Sequence, residues 1–422
     1  MGSRLTHRQG FLLGSPRTPR ATSSRPNKKL TILIGCDTFG PDVNGAAKFA
    51  ERLAAGLVER GHDVHIMAPS PKGAPAVGIE VHEGQPMTVH RLRSWRWIMH
   101  DWLRFALPWD IRPESRRILD AVKPDVVHFQ SHLMVGGGLS LEAQKRGIRL
   151  VGTNHFMPEN LIDFIPMPKF LEQWAIRRTW AAAARTFGRA EAVTTPTRRA
   201  ADFLEESTHL NDVHAISCGI NAHHYTPNFS TNVENRIVFV GRVTGEKKLD
   251  VLLKAVARLD SALNAKLEIV GTGDLLNHHK VLAAQLGIAE SVHFTGYASD
   301  EELRAALSRA KVFAMPSIAE LQSIATMEAM ATALPVVGAN AMALPHLIHD
   351  GENGFLFEPN SVDDLVEKLT RVLTMPRKEL ETMKKASLTF IRGHDITRTL
   401  DTFEALYRGE HVVDPDPELT DD

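Results

Sequence analysis

Ser317-Ile318-Ala319-Glu320-Leu321-Gln322-Ser323-Ile324-Ala325-Thr326-Met327-Glu328-Ala329-Met330 is the stretch on which the fold reading turns. A short apolar strand, Val312-Phe313-Ala314-Met315, precedes it, and the helical pattern that follows stops before Pro335. Glu320 therefore falls in a strand-to-helix turn, and Glu328 lies about two turns along the helix. Ser323 suits the N-cap, which leaves the free N–H groups of the first turn between the two carboxylates. Those orphan donors and the positive end of the helix dipole, about half an elementary charge, attract anions. A phosphate resting on the amides near Ser323 and Ile324 would have a carboxylate on either side for sugar hydroxyls. The plainer alternative is an ordinary helix start, with Glu320 a solvated or capping acid.

Working outward, the same strand–turn–helix grammar recurs. Leu30–Gly35 is a continuous apolar strand of the buried parallel type. The loop from Asp37 to Ala47 follows, then an amphipathic helix to about Arg60 and the strand Val64–Ala68. This unit is the repeating piece of a doubly wound α/β sheet. Asn44-Gly45 opens its helix, where Gly45 lets backbone approach a ligand closely, although the dinucleotide fingerprint Gly-x-Gly-x-x-Gly is absent. Asp125–Phe129 and Leu150–Thr153 read as further strands. His128, His132 and His155 lie at or just past their carboxyl ends, where open α/β sheets place the ligand crevice.

Ile237–Gly241 begins a second series. Its exit carries Arg242 and Lys247, a guanidinium fork and a compact charge that suit a pyrophosphate; a solvated loop is the plain alternative. Leu267–Gly273, which includes Gly271, then Val292–Tyr297 and Pro335–Gly338 continue the pattern. Pro359 to Leu373 and Phe390 to Tyr407 read as helices.

With 422 residues the chain is too long for one typical core, so two domains are expected. A net charge of −1 argues against electrostatic nucleic-acid binding by the whole molecule. Cys36 and Cys218 are the only cysteines, which argues against a disulfide scaffold or a thiolate metal site and suits a reducing compartment. The histidine spacings match no standard zinc pattern, and the Asp-x-Asp at Asp414-Pro415-Asp416 falls in the acidic tail and at no strand end, so no metal is expected. No run of about 18 apolar residues exists to span a bilayer. Residues 1–29 are basic with no acid and too weakly apolar for a signal-peptide core, and residues 409–422 are acidic; both read as disordered tails.

The Glu320 stretch, with the motifs around it, resembles the retaining nucleotide-sugar glycosyltransferases of family four, which have the GT-B fold: two Rossmann-like domains facing across a cleft. The resemblance spans roughly residues 30 to 408, and Glu320 and Glu328 match the hallmark Glu-x7-Glu. It implies that Glu320 lies beside the donor sugar and that Glu328 holds the ribose hydroxyls. Arg242 and Lys247 would grip the donor diphosphate as it leaves, without a metal cofactor. It further implies that Gly45 approaches the donor phosphates and acceptor, that His155 contacts the donor sugar, and that the strand end at Gly271 helps form the base pocket. Residues 30–219 are then the acceptor domain, 220–389 the nucleotide-sugar domain, and 390–408 a helix crossing back to the first domain. The donor is a UDP- or GDP-sugar carrying glucose or mannose. The expected reaction is retaining α-hexosyl transfer, with a nucleotide-sugar 2-epimerase of the same fold, or transfer to a soluble acceptor, as alternatives. Asn44-Gly45 where two glycines are frequent, and Asn160 near the acceptor loop, depart from the commoner pattern and leave the acceptor open.

Residues 89–117 hold Arg91, Trp95, Trp97, Trp102, Arg104 and Trp109, with further arginines. Four of the six tryptophans of the chain fall within fifteen residues. Trp beside Arg suits the lipid headgroup layer, where an apolar ring and a polar edge are both satisfied. A solvated helix using Trp to cap the core is the bland alternative. Together with the Glu-Leu-Gln-Ser variant, which looks most like family members that glycosylate lipids, this segment points to a glycerolipid acceptor. It also points to an anionic membrane surface, with the protein cytoplasmic and peripheral to the inner face of the plasma membrane.

Overall fold

Ile32, Leu33 and Ile34 are fully buried, because the strand they form is covered on both faces. That strand, β1 (Thr31–Gly35), sits near the middle of the first of two parallel sheets in a computed structural model that describes residues 28–42, 44–97, 100–156, 168–230 and 234–414. Residues 1–27 of the expected basic tail, Asn160 and residues 415–422 of the acidic tail lie outside the described residues, as do 231–233.

The first sheet also contains β2 (Asp63–Pro69), β3 (Ala76–His82) and β4 (Gln85–Leu92). A separate hairpin follows, β5 (Trp95–Trp97) with β6 (His100–Phe105), before β7 (Val126–Phe129), β8 (Arg149–Thr153), β9 (Ala192–Thr195) and β10 (His214–Ala215) return to the sheet. Its order is β10-β9-β8-β7-β1-β2-β4-β3, parallel except for β3 against β4. The second sheet contains β11 (Arg236–Val240), β12 (Lys266–Val270), β13 (Val292–Gly296), β14 (Val312–Met315), β15 (Val336–Ala339) and β16 (Gly354–Phe357). All its pairs are parallel, in the order β13-β12-β11-β14-β15-β16. The two sheets with their flanking helices are two Rossmann-like α/β units.

The faces of the first sheet are covered differently. Leu33, Val127 and Phe129 pack under the helices Pro108–Val122, Met134–Gln144 and Lys169–Phe187. Ile32 and Ile34 pack under the helix Gly45–Glu59, in a core continuous with that of the second sheet. The helix Ile396–Arg408 closes this face, with the Phe403 ring 5.8 Å from Phe49 and the Tyr407 hydroxyl 2.7 Å from His128 Nδ1. Each such fully buried aromatic or Leu side chain contributes about 1.5–3 kcal/mol.

Several local readings need correction. Residues 76–105 form two hairpins that the periodicity did not reveal, the first turning at Glu83-Gly84, both with positive φ. The helix expected from Pro359 starts at Val362, because Ser361 accepts the Asp364 N–H at 3.2 Å and caps it. The last helix, expected from Phe390, is two: Arg377–Ile391 ends in a tight turn at Arg392–His394, and Asp395 caps a fresh helix at Ile396. Asp37 ties the first sheet together at its ligand end. Its Oδ1 accepts the Val135 N–H at 2.9 Å, capping a helix whose own N-cap residue, Leu133, has no polar side chain; Ser131 Oγ bonds its other oxygen.

Candidate active site

Each sheet has one point where its strand order reverses. β1 lies between β7 and β2, and β11 between β12 and β14, so the loops after β1 and β7, and after β11 and β14, part there and leave a crevice. Every donor candidate from the second series except Gly271 comes from these loops or the helix they enter: Arg242 and Lys247 after β11, Glu320, Ser323, Ile324 and Glu328 after β14.

The β14 exit is heavily tied down. The Ile318 N–H and Ser317 Oγ both donate to the Glu246 carbonyl, at 3.1 and 3.3 Å, and the Glu320 carbonyl accepts the Ala343 N–H at 3.1 Å. Ser323 has extended backbone and caps the helix Ile324–Ala331 through Thr326, whose N–H and hydroxyl bond its Oγ at 3.4 and 2.8 Å. Glu320 is buried and its carboxylate is ion-paired directly with Lys247 Nζ. Arg242 Nη2 lies 3.5 Å from Glu246 Oε1, which also takes the Thr244 hydroxyl at 2.7 Å. The two cations therefore stand at one turn with a carboxylate near each, an arrangement that could receive a diphosphate and a sugar side by side.

Gly271 is required sterically. At φ 143° on the β12 exit, a Cβ there would lie 1.9 Å from the Gly241 carbonyl oxygen, so the β11 and β12 exits interlock through glycine. Gly45 is open by contrast: a Cβ would touch only Ile324 Cδ1, at 3.8 Å. Asn44 Oδ1 caps its helix through the Ala47 N–H at 2.9 Å. Two helix N-termini, one from each half of the chain, thus lie side by side at Gly45 and Ile324, and the first turn of a helix has N–H groups without intrahelical partners.

His155 follows β8. Its Nε2 donates to Gln130 Oε1 at 2.9 Å and its ring rests 4.8 Å from Phe49, which leaves Nδ1 as a lone-pair acceptor. Burial lowers its pKa to about 3, so the ring is neutral. His128 is a core residue: its nitrogens meet Tyr407 and Thr153 hydroxyls, both at 2.7 Å, and burial again lowers its pKa to about 3. His132 is buried among Phe156, Trp180 and Phe187, and neither ring nitrogen has a hydrogen-bond partner among the described residues.

Glu328 pairs with Arg52 Nη2 at 2.7 Å, across 276 residues of sequence. Sequence reasoning missed Arg52. Its signal was local, since Gly45, Lys48 and Arg52 follow helical spacing and share the face that opens at Asn44. Gln130 and Gln322 were missed as bonding groups as well.

The arginines assigned to a membrane surface divide from the tryptophans. Arg91 is 6% exposed; it bonds the Gly40 carbonyl at 2.6 Å and pairs with Glu80, which fixes the loop after β1, so it presents nothing to a lipid. Arg104 donates to the Ser70 and Ser94 carbonyls at 3.1 and 3.0 Å and is a hairpin fastener. Arg91 is inside because a strand hides alternate residues, which a charge count does not register, whereas Arg104 is half-buried. Trp95 is 48% exposed, whereas the Trp97 and Trp102 side chains lie outside the described residues.

Among the described residues, no group of three or more His, Cys, Asp or Glu could hold a metal ion, and no helix is long and apolar enough to cross a membrane.

Comparison with known proteins places these features in context. The family described as Glycosyltransferase Family 4 matches residues 43–224, and that described as Glycosyl transferases group 1 matches residues 227–389. The MMP alpha-(1->4)-mannosyltransferase of Mycolicibacterium hassiacum is 28% identical over 361 residues, 79% of this chain and 87% of that protein. A GDP-mannose-dependent alpha-mannosyltransferase of Mycolicibacterium smegmatis is 26% identical over 343 residues, 78% of this chain and 84% of that protein. The sucrose-phosphate synthase structure from Thermosynechococcus elongatus shares the two-domain GT-B fold at a TM-score of 0.74 and 17% identity, over 89% of this chain and 98% of that one.

Proposed function

We propose, from the premise that this chain is a group 1 glycosyltransferase of GT-B architecture taking its sugar from a nucleotide donor, that the sugar is a hexose transferred with retention to a membrane glycerolipid. The observation that carries the site assignment is the Lys247–Glu320 pair at the switch point of the second sheet, opposite the Gly45 helix start. Mannose is favoured by likeness to the two mannosyltransferases above, and GDP-mannose as donor by the GDP-mannose-dependent one; UDP-glucose is the competitor.

In this reading Glu328 takes the ribose hydroxyls and the Gly271 turn flanks the base. Arg242, Lys247 and the amides near Ser323 and Ile324 offset the charge that grows on the departing diphosphate. Glu320 orients the sugar, and neutral His155 offers it a hydrogen-bonding nitrogen. The bond from the anomeric carbon to the diphosphate breaks as the acceptor oxygen bonds on the same face, and the acceptor proton passes to the departing phosphate oxygen. Glu320 and Glu328 are not a glycosidase pair, because the second is assigned to ribose.

Exposed Trp95 and Trp109, and Trp174 under the Arg178 guanidinium at 5.4 Å, support an anionic membrane surface as the place of the acceptor. On this account the protein works peripherally at the inner face of the plasma membrane.

The test follows released nucleoside diphosphate with GDP-mannose or UDP-glucose, with and without anionic vesicles containing diacylglycerol. Release that needs one donor and the lipid, and that disappears in Glu320→Ala and Lys247→Ala, supports the proposal. Release without lipid overturns the acceptor, and nucleotide binding without turnover of either donor overturns the hexosyl transfer and favours the epimerase.

A further inference from the structure

Gln322 stands two residues after Glu320 and directly before the cap Ser323, yet its carboxamide bonds outside its own half of the chain. Oε1 accepts the Cys218 N–H at 2.7 Å, and Nε2 donates to Ser217 Oγ at 3.1 Å, with the Pro196 carbonyl at 3.5 Å. Beside it, the Leu321 carbonyl accepts the Thr197 hydroxyl at 3.1 Å. All four partners follow β9 or β10 of the first sheet.

Ser217 is also where the chain crosses between halves twice. Its Oγ lies 2.9 Å from His394 Nδ1, and its carbonyl accepts the Thr399 hydroxyl at 2.9 Å. Ile220 and His394 bond through their backbones at 2.8 Å, and the Ile396 N–H returns to the Ile220 carbonyl at 3.1 Å. Burial lowers the His394 pKa to about 3, so its ring is neutral; Ser217 Oγ accepts from Gln322 Nε2 and the Gly219 N–H, and its own hydroxyl donates to His394 Nδ1. One chain of hydrogen bonds therefore runs from Gln322 through Ser217 to His394, joining the outgoing segment, the returning segment and the loop that carries Glu320.

A buried amide that only satisfied packing would find partners in its own loop. This one has none there, and all three of its partner residues, Pro196, Ser217 and Cys218, come from the other half of the chain. We infer that Gln322 is a positioning residue that makes the placement of Glu320 and of the first-turn amides of Ile324–Ala331 depend on the arrangement of the two crossing segments. The inference rests on the assignment of Glu320 to the donor sugar. It also gives Gln322 a role other than marking a lipid acceptor.

The test uses the full chain as Gln322→Leu, as Ser217→Ala from the opposite side of the seam, and as the double variant. Hydrogen exchange across residues 318–328 needs no turnover and so reads the coupling even if the proposed reaction is wrong. Both single variants should speed exchange about tenfold at Ile318, Thr326 and Met327, whose N–H groups are hydrogen-bonded, in keeping with the loss of one or two neutral hydrogen bonds. In the diphosphate-release assay, kcat should fall about 30-fold in Gln322→Leu while the Kd for nucleoside diphosphate stays within about threefold, a split expected when placement and not binding is lost. The double variant should be no slower than Gln322→Leu, since both remove one interaction. Unchanged exchange in Ser217→Ala overturns the inference, even if Gln322→Leu fails to fold. A rise in nucleotide Kd with unchanged kcat, or multiplicative losses in the double variant, overturns it as well. A wild-type chain that turns over no donor defeats the proposed reaction alone, because the exchange result stands separately.

Discussion

Replacing Arg52 by Met should expose how much the two halves depend on one buried charge pair. Arg52 Nη2 lies 2.7 Å from Glu328 Oε1, with side chains 14% and 9% exposed. Burial works against the Arg52 charge, but the Glu328 carboxylate more than offsets this and holds its pKa above the ordinary arginine value. Removing two such charges from water costs nearly what their attraction returns, so the pair as a whole contributes little. Deleting one member is different, because the other remains buried and uncompensated, a loss of about 3–5 kcal/mol. Met keeps the length and apolar stem of Arg, so lost packing adds little. Residual solvent access places the expected loss at the lower end, about 3 kcal/mol. Urea unfolding at pH 7, followed by tryptophan fluorescence, reads it. The double variant Arg52→Met/Glu328→Leu should return to within about 1 kcal/mol of the parent, since an apolar pair of similar volume replaces the ions. An Arg52→Met chain within about 0.5 kcal/mol of the parent, or a double variant as unstable as the sum of its singles, would refute this reasoning.

Three further outcomes follow. Glu320→Gln and Lys247→Ala should each lower kcat about 10²–10³-fold with an unchanged circular dichroism spectrum, as expected when charge stabilisation at a reacting centre is removed. Gly271→Ala should lower stability by about 3 kcal/mol or more in thermal unfolding, through overlap with the Gly241 carbonyl at positive φ, whereas Gly45→Ala, with open space, should stay within about 0.5 kcal/mol. His128 and His155, with folded pKa values lowered by burial to about 3, bind fewer protons folded than unfolded between that value and the ordinary one of about 6.5. Their stabilisation is therefore complete above pH 6.5 and lost as pH falls toward 3; His128→Gln should flatten the urea midpoint between pH 6.5 and 4. By the same shift His155 should add no limb to the kcat profile from pH 6 to 8.

What the sequence made legible was local. Ser323 as a cap, the Glu320 turn and the strand ends at Gly35, Gly241 and Gly271 depend on neighbours within one helical turn or one strand, and periodicity exposes those. The hairpin through Glu83-Gly84 carried a turn signal, but one strand, Ala76–His82, shows Val77, Ile79 and Val81 to solvent, so inside and outside looked alike. Arg91, Arg52 and Gln322 take their meaning from partners supplied by other elements. Composition near Arg91 suggested a surface, and only the neighbouring strand explains why the guanidinium is inside. The break at Arg392–Asp395 escaped notice because both helices have good helical composition, and a three-residue turn between them leaves no Pro or paired Gly.

The returning helix Ile396–Arg408 has a consequence for the order of synthesis. Its Tyr407 hydroxyl meets His128, Glu404 meets His62 at 3.1 Å, the Leu406 carbonyl takes Arg149 at 2.8 Å, and Asp401 pairs with Arg60. Beyond it, Asp414 accepts from the Ala215 N–H at 2.9 Å and meets His214. The first half to leave the ribosome is thus finished by residues made only after the second sheet. Until then the faces of Phe49 and His128 that Phe403 will cover stay open to water, at the stage when exposed apolar surface invites aggregation. Ending the chain after the second sheet would therefore injure the first one, and a stop codon near residue 390 should be read as a defect in the half of the protein that was made first.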